Sequence, residues 1–250
     1  MPDSGQISMK KLPISDYISQ IGIDCVIFGY EKEQLKVLIG KLDFEGDFYA
    51  LPSGFIGQDE DIDDAAQRIL KDRTSLNDVY LEQFHVFGKA NRNTKDFLDK
   101  VIALNSRLTP IESELSDQYQ WFIKRQISIG YYALVDIKSA KPSISEYDQS
   151  IGWYDIHDLP PMIIDHHAII MEALKALRSD IGEKLNAFNL LPEKFTMKEI
   201  QEIYETINEK TYTRTNFQKM ILELNVLERL EKKFTGAKNK APYLYRMAQK

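Results

Sequence analysis

A chain of 250 residues with 43% hydrophobic content is long enough to bury a substantial core and to divide into two domains. Its net charge of −6 is unevenly spread: residues 210–250 hold ten Lys or Arg against three Glu, or +7, so the other 209 residues carry −13. That asymmetry predicts an acidic body joined to a basic contact surface, while the lone Cys25 excludes an internal disulfide, and no run approaches the ~20 apolar residues of a membrane span.

Near the start, Lys10 and Lys11 precede the broken, polar LPISDYISQIGI, which is not a signal peptide, and a cytoplasmic protein is expected. Asp24 to Tyr30 (DCVIFGY) and Leu35 to Leu42 (LKVLIGKL) are apolar runs around Glu31-Lys32-Glu33, a predicted hairpin, in which Cys25 is a buried strand thiol. Gly54 to Leu76 (GFIGQDEDIDDAAQRILKDRTSL) follows as a loop and a helix. Ile62, Ala65, Ala66, Ile69 and Leu70 share one face of that helix, its acidic first turn suits the positive end of the helix dipole, and Arg68 is spaced to pair with Asp64 and Asp72 on the surface.

Strands are expected at Leu81–Phe87, Ile127–Ile137 and Ile151–Tyr154, then a helix from about Asp165 to Leu177. Between the first two, residues 95–124 carry Phe97, Val101, Leu104 and Leu108 at helical intervals, a break at Pro110, and then Leu115, Tyr119 and Phe122. This reads as a helical hairpin insertion with a packing role, a lid or a dimer contact being the alternatives. Asp165-His166-His167 reads as a helix start with Asp165 as N-cap rather than as a metal site.

Gly182 and Pro192 interrupt residues 179–194, read as a linker between domains at 1–178 and 195–250. Thr196 and Glu199 have capping-box spacing; Ile200, Ile203, Tyr204 and Ile207 stripe one helix and Phe217, Met220, Ile221 and Leu224 a second. The second helix places Arg214, Thr215, Asn216, Gln218 and Lys219 around its first turns, residue types that suit base edges and phosphates in a major groove. A hairpin carrying Lys232, Lys233, Lys238 and Lys240 completes a predicted winged helix; a protein-interaction domain with a solvated lysine loop is the alternative.

The Gly54–Leu76 stretch resembles the Nudix box. Gly54, Glu60, Arg68, Leu70 and Leu76 match it, whereas its three metal-binding glutamates fall on Ile69, Asp72 and Arg73, and its closing glycine on Ser75. In Nudix hydrolases those glutamates hold divalent cations against a diphosphate; here Ile69 offers no oxygen, Arg73 puts a fixed positive charge where the cation would sit, and Asp72 is a surface group. Glu60 and Arg68 read as structural members of the loop. No catalytic residue, metal or cofactor is expected, the alternative being a magnesium-dependent pyrophosphatase of ADP-ribose or NAD-type substrates that rebuilds a site from Asp72 and Glu60.

With IGIDCVIFGY, SIGYYALVDI, IIDHHAII and FNLLPEKFT, the chain from Gly22 onward resembles the Nudix-related transcriptional regulators. The resemblance implies an α/β fold, a Nudix-like α/β/α sandwich with a C-terminal winged helix, in which the first domain binds a small effector and the second binds double-stranded operator DNA as a homodimer. Some members sense ADP-ribose or related metabolites and others a sugar such as L-arabinose, and this sequence looks closer to the sugar-sensing group. An inherited effector pocket would be lined by Lys41, Phe48, Ser53, Gly54, Phe55, Lys89 and Arg92.

Overall fold

Alternation along one long strand sets the layers. In β1 (Tyr17–Glu31), Ile23, Cys25 and Ile27 face one side and Val26 and Phe28 the other, all essentially inaccessible to water, so the strand can only lie at the centre of a sheet covered on both faces. The computed structural model describes residues 13–77, 79–105, 117–181, 186–233 and 241–248. β1 pairs antiparallel with β2 (Gln34–Leu42) and parallel with β6 (Ile127–Asp136) over ten residues, Ile21 facing Ile127 and Tyr30 facing Asp136. β3 (Tyr49–Ala50) and β7 (Asp148–Asp155) pair with β2, β4 (Ser53–Gly57) with β1, and β5 (Glu82–Phe87) with β6, giving seven strands. The expected hairpin joins β1 and β2 through a two-residue loop in which Lys32 and Glu33 both have positive φ, 50° and 61°, the twist a tight loop of the I′ kind requires.

On one face lies α1 (Ile62–Thr74), which buries Ala65, Ala66, Ile69 and Leu70 against Ile23, Ile27, Ile129 and Tyr131. Ile62, expected in this stripe, is instead 43% exposed, because it opens the first turn beyond the edge of the contact. Ser75, in the place of the motif's glycine, takes the left-handed conformation (φ 59°) that ends the helix, its N–H donating to Lys71 O at 2.8 Å. On the opposite face, α4 (His166–Asp180) packs Ile169, Ile170, Ala173, Leu174 and Leu177 on Val26, Phe28 and Val37. These layers form the expected α/β/α sandwich.

The insertion contains two helices among its described residues, α2 (Lys95–Leu104) and α3 (Asp117–Phe122), with residues 106–116, including Leu108, Pro110 and Leu115, outside that set. Its buried side chains are Leu98, Val101, Tyr119 and Trp121 rather than the full expected stripe, and Leu104 is half exposed.

Residues 179–194 are not an open tether where described: α4 runs on to Asp180, and a 3-10 turn over Asn186–Leu190 buries Ala187 and Phe188, the latter 5.7 Å from the ring of Phe195. Beyond it, β8 (Phe195–Thr196), α5 (Met197–Asn208), α6 (Arg214–Glu223), β9 (Leu227–Lys232) and β10 (Tyr243–Met247) form a winged helix whose strands pair in the order β8, β10, β9. Its core of Ile200, Ile203, Ile207, Phe217, Ile221 and Tyr245 is continuous with the α4 side of the first domain.

The capping box forms as its spacing predicts, Glu199 N donating to Thr196 Oγ1 at 3.3 Å and Thr196 N to Glu199 Oε2 at 2.6 Å. Replacing Thr196 by Ala leaves the Glu199 amide without its acceptor and is expected to cost about 1 kcal/mol, read as a lower midpoint with unchanged slope in urea unfolding.

Candidate effector site and nucleic-acid interface

The degenerate motif closes on itself through Arg68. Its Nε donates to Glu60 Oε1 at 2.7 Å and its Nη2 to Glu60 Oε2 at 2.9 Å and to Phe55 O at 3.0 Å, while Glu60 Oε2 also accepts from Gly57 N at 3.0 Å. Both residues brace the loop, and the partner of Arg68 is Glu60 and not the Asp64 and Asp72 that helical spacing predicts. A two-point carboxylate clamp outcompetes single exposed pairs.

Ile69 is 3% exposed and its Cδ1 would lie 2.9 Å from a Cβ at position 54, so Gly54 is required there by close approach of the helix. Arg73 is buried, its Nη1 lying 2.5 Å from Asp148 Oδ2, an oxygen that also accepts from Ser145 N at 2.7 Å and Ser145 Oγ at 2.8 Å. Asp72 is exposed on the outer face of α1. Of the three positions that carry metal-binding glutamates in the motif, one is thus hydrocarbon, one a guanidinium already neutralised by a carboxylate, and one points away. The donor set does not fit a divalent cation, and among the described residues no three His, Cys, Asp or Glu side chains converge as a metal site would need.

Beside this helix lies a cavity of about 410 Å³, within the roughly 300–1,000 Å³ of small-molecule sites. At its base is Asp24, 4% exposed, with Ser53 Oγ 2.6 Å from Oδ1, Ser128 Oγ 2.5 Å from Oδ2 and Arg92 Nη2 3.4 Å from Oδ2. Burial works to raise this carboxyl, but His166, the two hydroxyls and Arg92 together hold it below its usual value. His166 Nδ1 accepts a hydrogen bond from Leu51 N (3.0 Å), which leaves the ring proton on Nε2, 3.7 Å from Asp24 Oδ1. Burial lowers the basicity of His166 more than Asp24 and Asp165 restore it. Asp165 stands at the N-cap position of α4 but caps nothing with its side chain; its carboxylate holds Arg92 at 2.8 Å to Nε and 3.0 Å to Nη2. Capping, expected of Asp165 from its place in the sequence, gives way to the stronger charged pair.

The insertion supplies an aromatic wall of this cavity. Phe97 and Phe122 line the cavity, and Phe55 meets Trp121 edge-on at 4.7 Å and Phe122 at 5.9 Å. Ser53, Gly54, Phe55 and Arg92 of the expected pocket line this cavity. Phe48 and Lys89 instead line an open groove of about 1,160 Å³ that also borders Arg92. Lys41 lies on neither wall: its ammonium sits 3.3 Å from Asp47 and 5.8 Å from the centre of the Tyr49 ring. Asp24, Ser128, Asp148 and His166 were missed; a lone carboxylate inside the apolar run IGIDCVIF was the one available signal, since a charge there needs buried partners.

In the winged helix, Arg214, Thr215 and Asn216 are exposed at the start of α6 while Phe217 and Ile221 are fully buried, as the periodicity predicts. Gln218 is half-buried, and Lys219 is exposed and weakly paired with Glu223 at 3.8 Å. Lys232 and Arg229 lie over the Tyr243 ring at 5.3 and 4.7 Å, and Lys233 is 3.4 Å from Glu199. Arg229 was not singled out from the sequence. Lys238 and Lys240 lie outside the described residues.

Two outcomes follow from the buried charges. Asp148→Ala strands the Arg73 guanidinium and is expected to cost about 3–5 kcal/mol in chemical unfolding, whereas the joint replacement Arg73→Met, Asp148→Leu recovers most of that loss. His166 has a folded-state pKa below its ordinary 6.5, so the unfolded chain takes up the proton first as pH falls below 6.5 and stability declines there. His166→Gln is expected to flatten that acid limb in thermal melts taken across the pH range. The Asp24 contribution, present above its usual 3.8 and lost as pH falls below it, is diminished in that variant, where Ser128, Ser53 and Arg92 alone hold the carboxyl down.

Comparison with known proteins agrees with this architecture. Residues 187–247 match the family described as the NrtR DNA-binding winged helix domain. A curated relative, the ADPR responsive transcriptional repressor NtrR of Acinetobacter baylyi, is 25% identical, the alignment covering 98% of this chain and 89% of the relative. Among solved structures, Shewanella oneidensis NrtR has a TM-score of 0.67 at 21% identity, over 92% of this chain and 94% of that one. The same protein complexed with a 27mer DNA gives 0.66 at 21% identity over the same shares. A MutT/nudix family protein from Enterococcus faecalis gives 0.65 at 18% identity, over 96% and 90%. The chain thus shares its fold with NrtR, a Nudix-like domain followed by a winged helix, and residues 187–247 match the NrtR winged helix family.

Proposed function

We propose that this protein is a DNA-binding transcriptional regulator whose Nudix-like domain holds an ADP-ribose-type nucleotide and does not cleave it. One observation carries the reading: the cavity persists beside α1 while the buried Arg73–Asp148 pair takes up the space and the charge that a divalent cation would need. Retained shape with replaced donors suits binding without hydrolysis. The relative described as ADPR responsive supports the choice of effector, and none of these relatives supports the sugar expected from the sequence.

In this reading the aromatic wall around Phe55 and Phe122 takes the flat face of the base, and Arg92 takes the diphosphate. The Asp24, Ser53 and Ser128 cluster faces ribose hydroxyls. At the other end of the chain, Arg214, Thr215 and Asn216 read base edges. Lys219, Lys232, Lys233, Lys238 and Lys240 meet phosphates, Gln218 supports the reading turn, and a homodimer sets two such helices on successive major grooves.

The test is fluorescence anisotropy on a duplex selected for tight binding from a random pool, at fixed salt, with ADP-ribose titrated in. A change in DNA affinity of about fivefold or more is expected, and Arg214→Ala is expected to weaken DNA binding by about 1–3 kcal/mol. No response to ADP-ribose, or its magnesium-dependent conversion to AMP, would sink the proposal.

A further inference from the structure

Each guanidinium on the cavity wall is already held by carboxylate: Arg68 by Glu60, Arg73 by Asp148, and Arg92 by Asp165 and Asp24. An entering anion must therefore displace a resident one. The exposure of the resident side chains decides which gives way: Asp148 is 4% exposed, Asp24 6%, Glu60 22% and Asp165 32%. Asp165 alone can turn toward water at modest cost, since the others would be left desolvated or bonded to backbone amides. Arg92 cannot follow it outward, being 8% exposed and anchored to Gln126 O.

Asp165 also stands where release has a consequence. It occupies the N-cap position of α4 without capping it, so a freed carboxylate has helix amides waiting. The residue before it, Ile164, has φ 49°, a left-handed conformation that a β-branched side chain adopts only under constraint, and it lies on the walls of both the cavity and the open groove. Strain and an unmade cap are thus stored together at the start of one helix.

The other end of that helix holds the winged domain. Arg178, in the last turn of α4, donates from Nε to Ile207 O at 2.7 Å and places Nη2 2.6 Å from Glu209 Oε1. Just past the helix, Ile181 O accepts from Tyr204 Oη at 2.7 Å. Ile207 and Tyr204 belong to α5, and Glu209 (φ 51°) ends it, immediately ahead of the turn into α6. His157, which follows β7, meets the same Glu209 oxygen at 3.0 Å. With a rise of about 1.5 Å per residue, α4 spans about 22 Å between these two sets of contacts. Ile169, Ala173 and Leu177 pack it on the sheet as one unbroken helix.

We propose that an anionic effector exchanges with Asp165 for Arg92, and that the released Asp165 resets the start of α4, whose far end repositions α5 and α6 through Arg178. The inference rests on the effector reading above and adds the switch to it. Arg92 then binds the effector, while Asp165 and Arg178 are positioning residues at opposite ends of one lever. The physical requirement is met because the two states differ in a contact the ligand makes in only one of them.

Two variants separate binding from coupling, with ADP-ribose and inorganic pyrophosphate as probes, calorimetry for their affinity, and anisotropy for DNA affinity with and without them. Asp165→Asn removes the competing charge; tighter ADP-ribose binding, by about tenfold, and a ligand-free DNA affinity shifted toward that of the liganded wild type are expected. Arg178→Ala is expected to keep ADP-ribose affinity within about twofold while the effect of ADP-ribose on DNA affinity is lost. A wild type that binds neither probe removes the effector reading and the switch together. A wild type that binds and responds, with Arg178→Ala responding equally or Asp165→Asn binding no tighter, overturns the switch alone.

Discussion

A buried ion pair between Arg73 and Asp148 is the contact around which the first domain is arranged. Burying two charges is costly unless each is neutralised and hydrogen-bonded, and both conditions hold on the carboxylate side, where Ser145 gives its amide and its hydroxyl to the same oxygen. The pair joins the end of α1 to the start of β7 and excludes side chains above glycine at position 40, where a Cβ would lie 2.7 Å from Asp148 Oδ1. Ile69, one turn earlier, completes the change by filling the space with hydrocarbon. The helix that presents carboxylates in the hydrolases presents here a packed and neutral wall.

That exchange alters what the cavity can do with a ligand. With cations supplied by the protein and each matched to a carboxylate, binding becomes a competition between anions, and affinity depends on which resident carboxylate is easiest to displace. The same feature gives a route for signalling. Displacement of Asp165 from Arg92 changes the contacts at the start of α4, the helix that Asp165 precedes. The continuous core from Phe28 through Leu177 to Phe217 leaves little slack between the two domains to absorb such a change.

Much of this was legible where the determinants are local. Periodicity identified Ile69 as core, the TxxE spacing identified the cap at Thr196, and the placement of Phe217 between polar residues fixed which side of α6 faces out. What escaped was pairing across the sheet. Asp148 lies 75 positions from Arg73, just before the segment from Ile151 that sequence pattern identifies as strand, so nothing nearby marks it as a partner. Arg68 was paired by helical spacing with neighbours, yet the loop residue Glu60 reaches it with better geometry. Asp165 was assigned the capping role its position suggests, and the buried guanidinium of Arg92, 73 residues earlier in the chain, takes precedence. Local rules fix helix faces and caps and fail where a charge finds its partner outside its own helix.

Phosphorus NMR tests the central claim most directly, with ADP-ribose mixed at equal concentration with protein, first in chelator and then in excess magnesium. The account predicts two diphosphate resonances displaced by binding to the same extent in both conditions and persisting over hours. Binding that requires magnesium, or growth of phosphomonoester resonances with time, would contradict it.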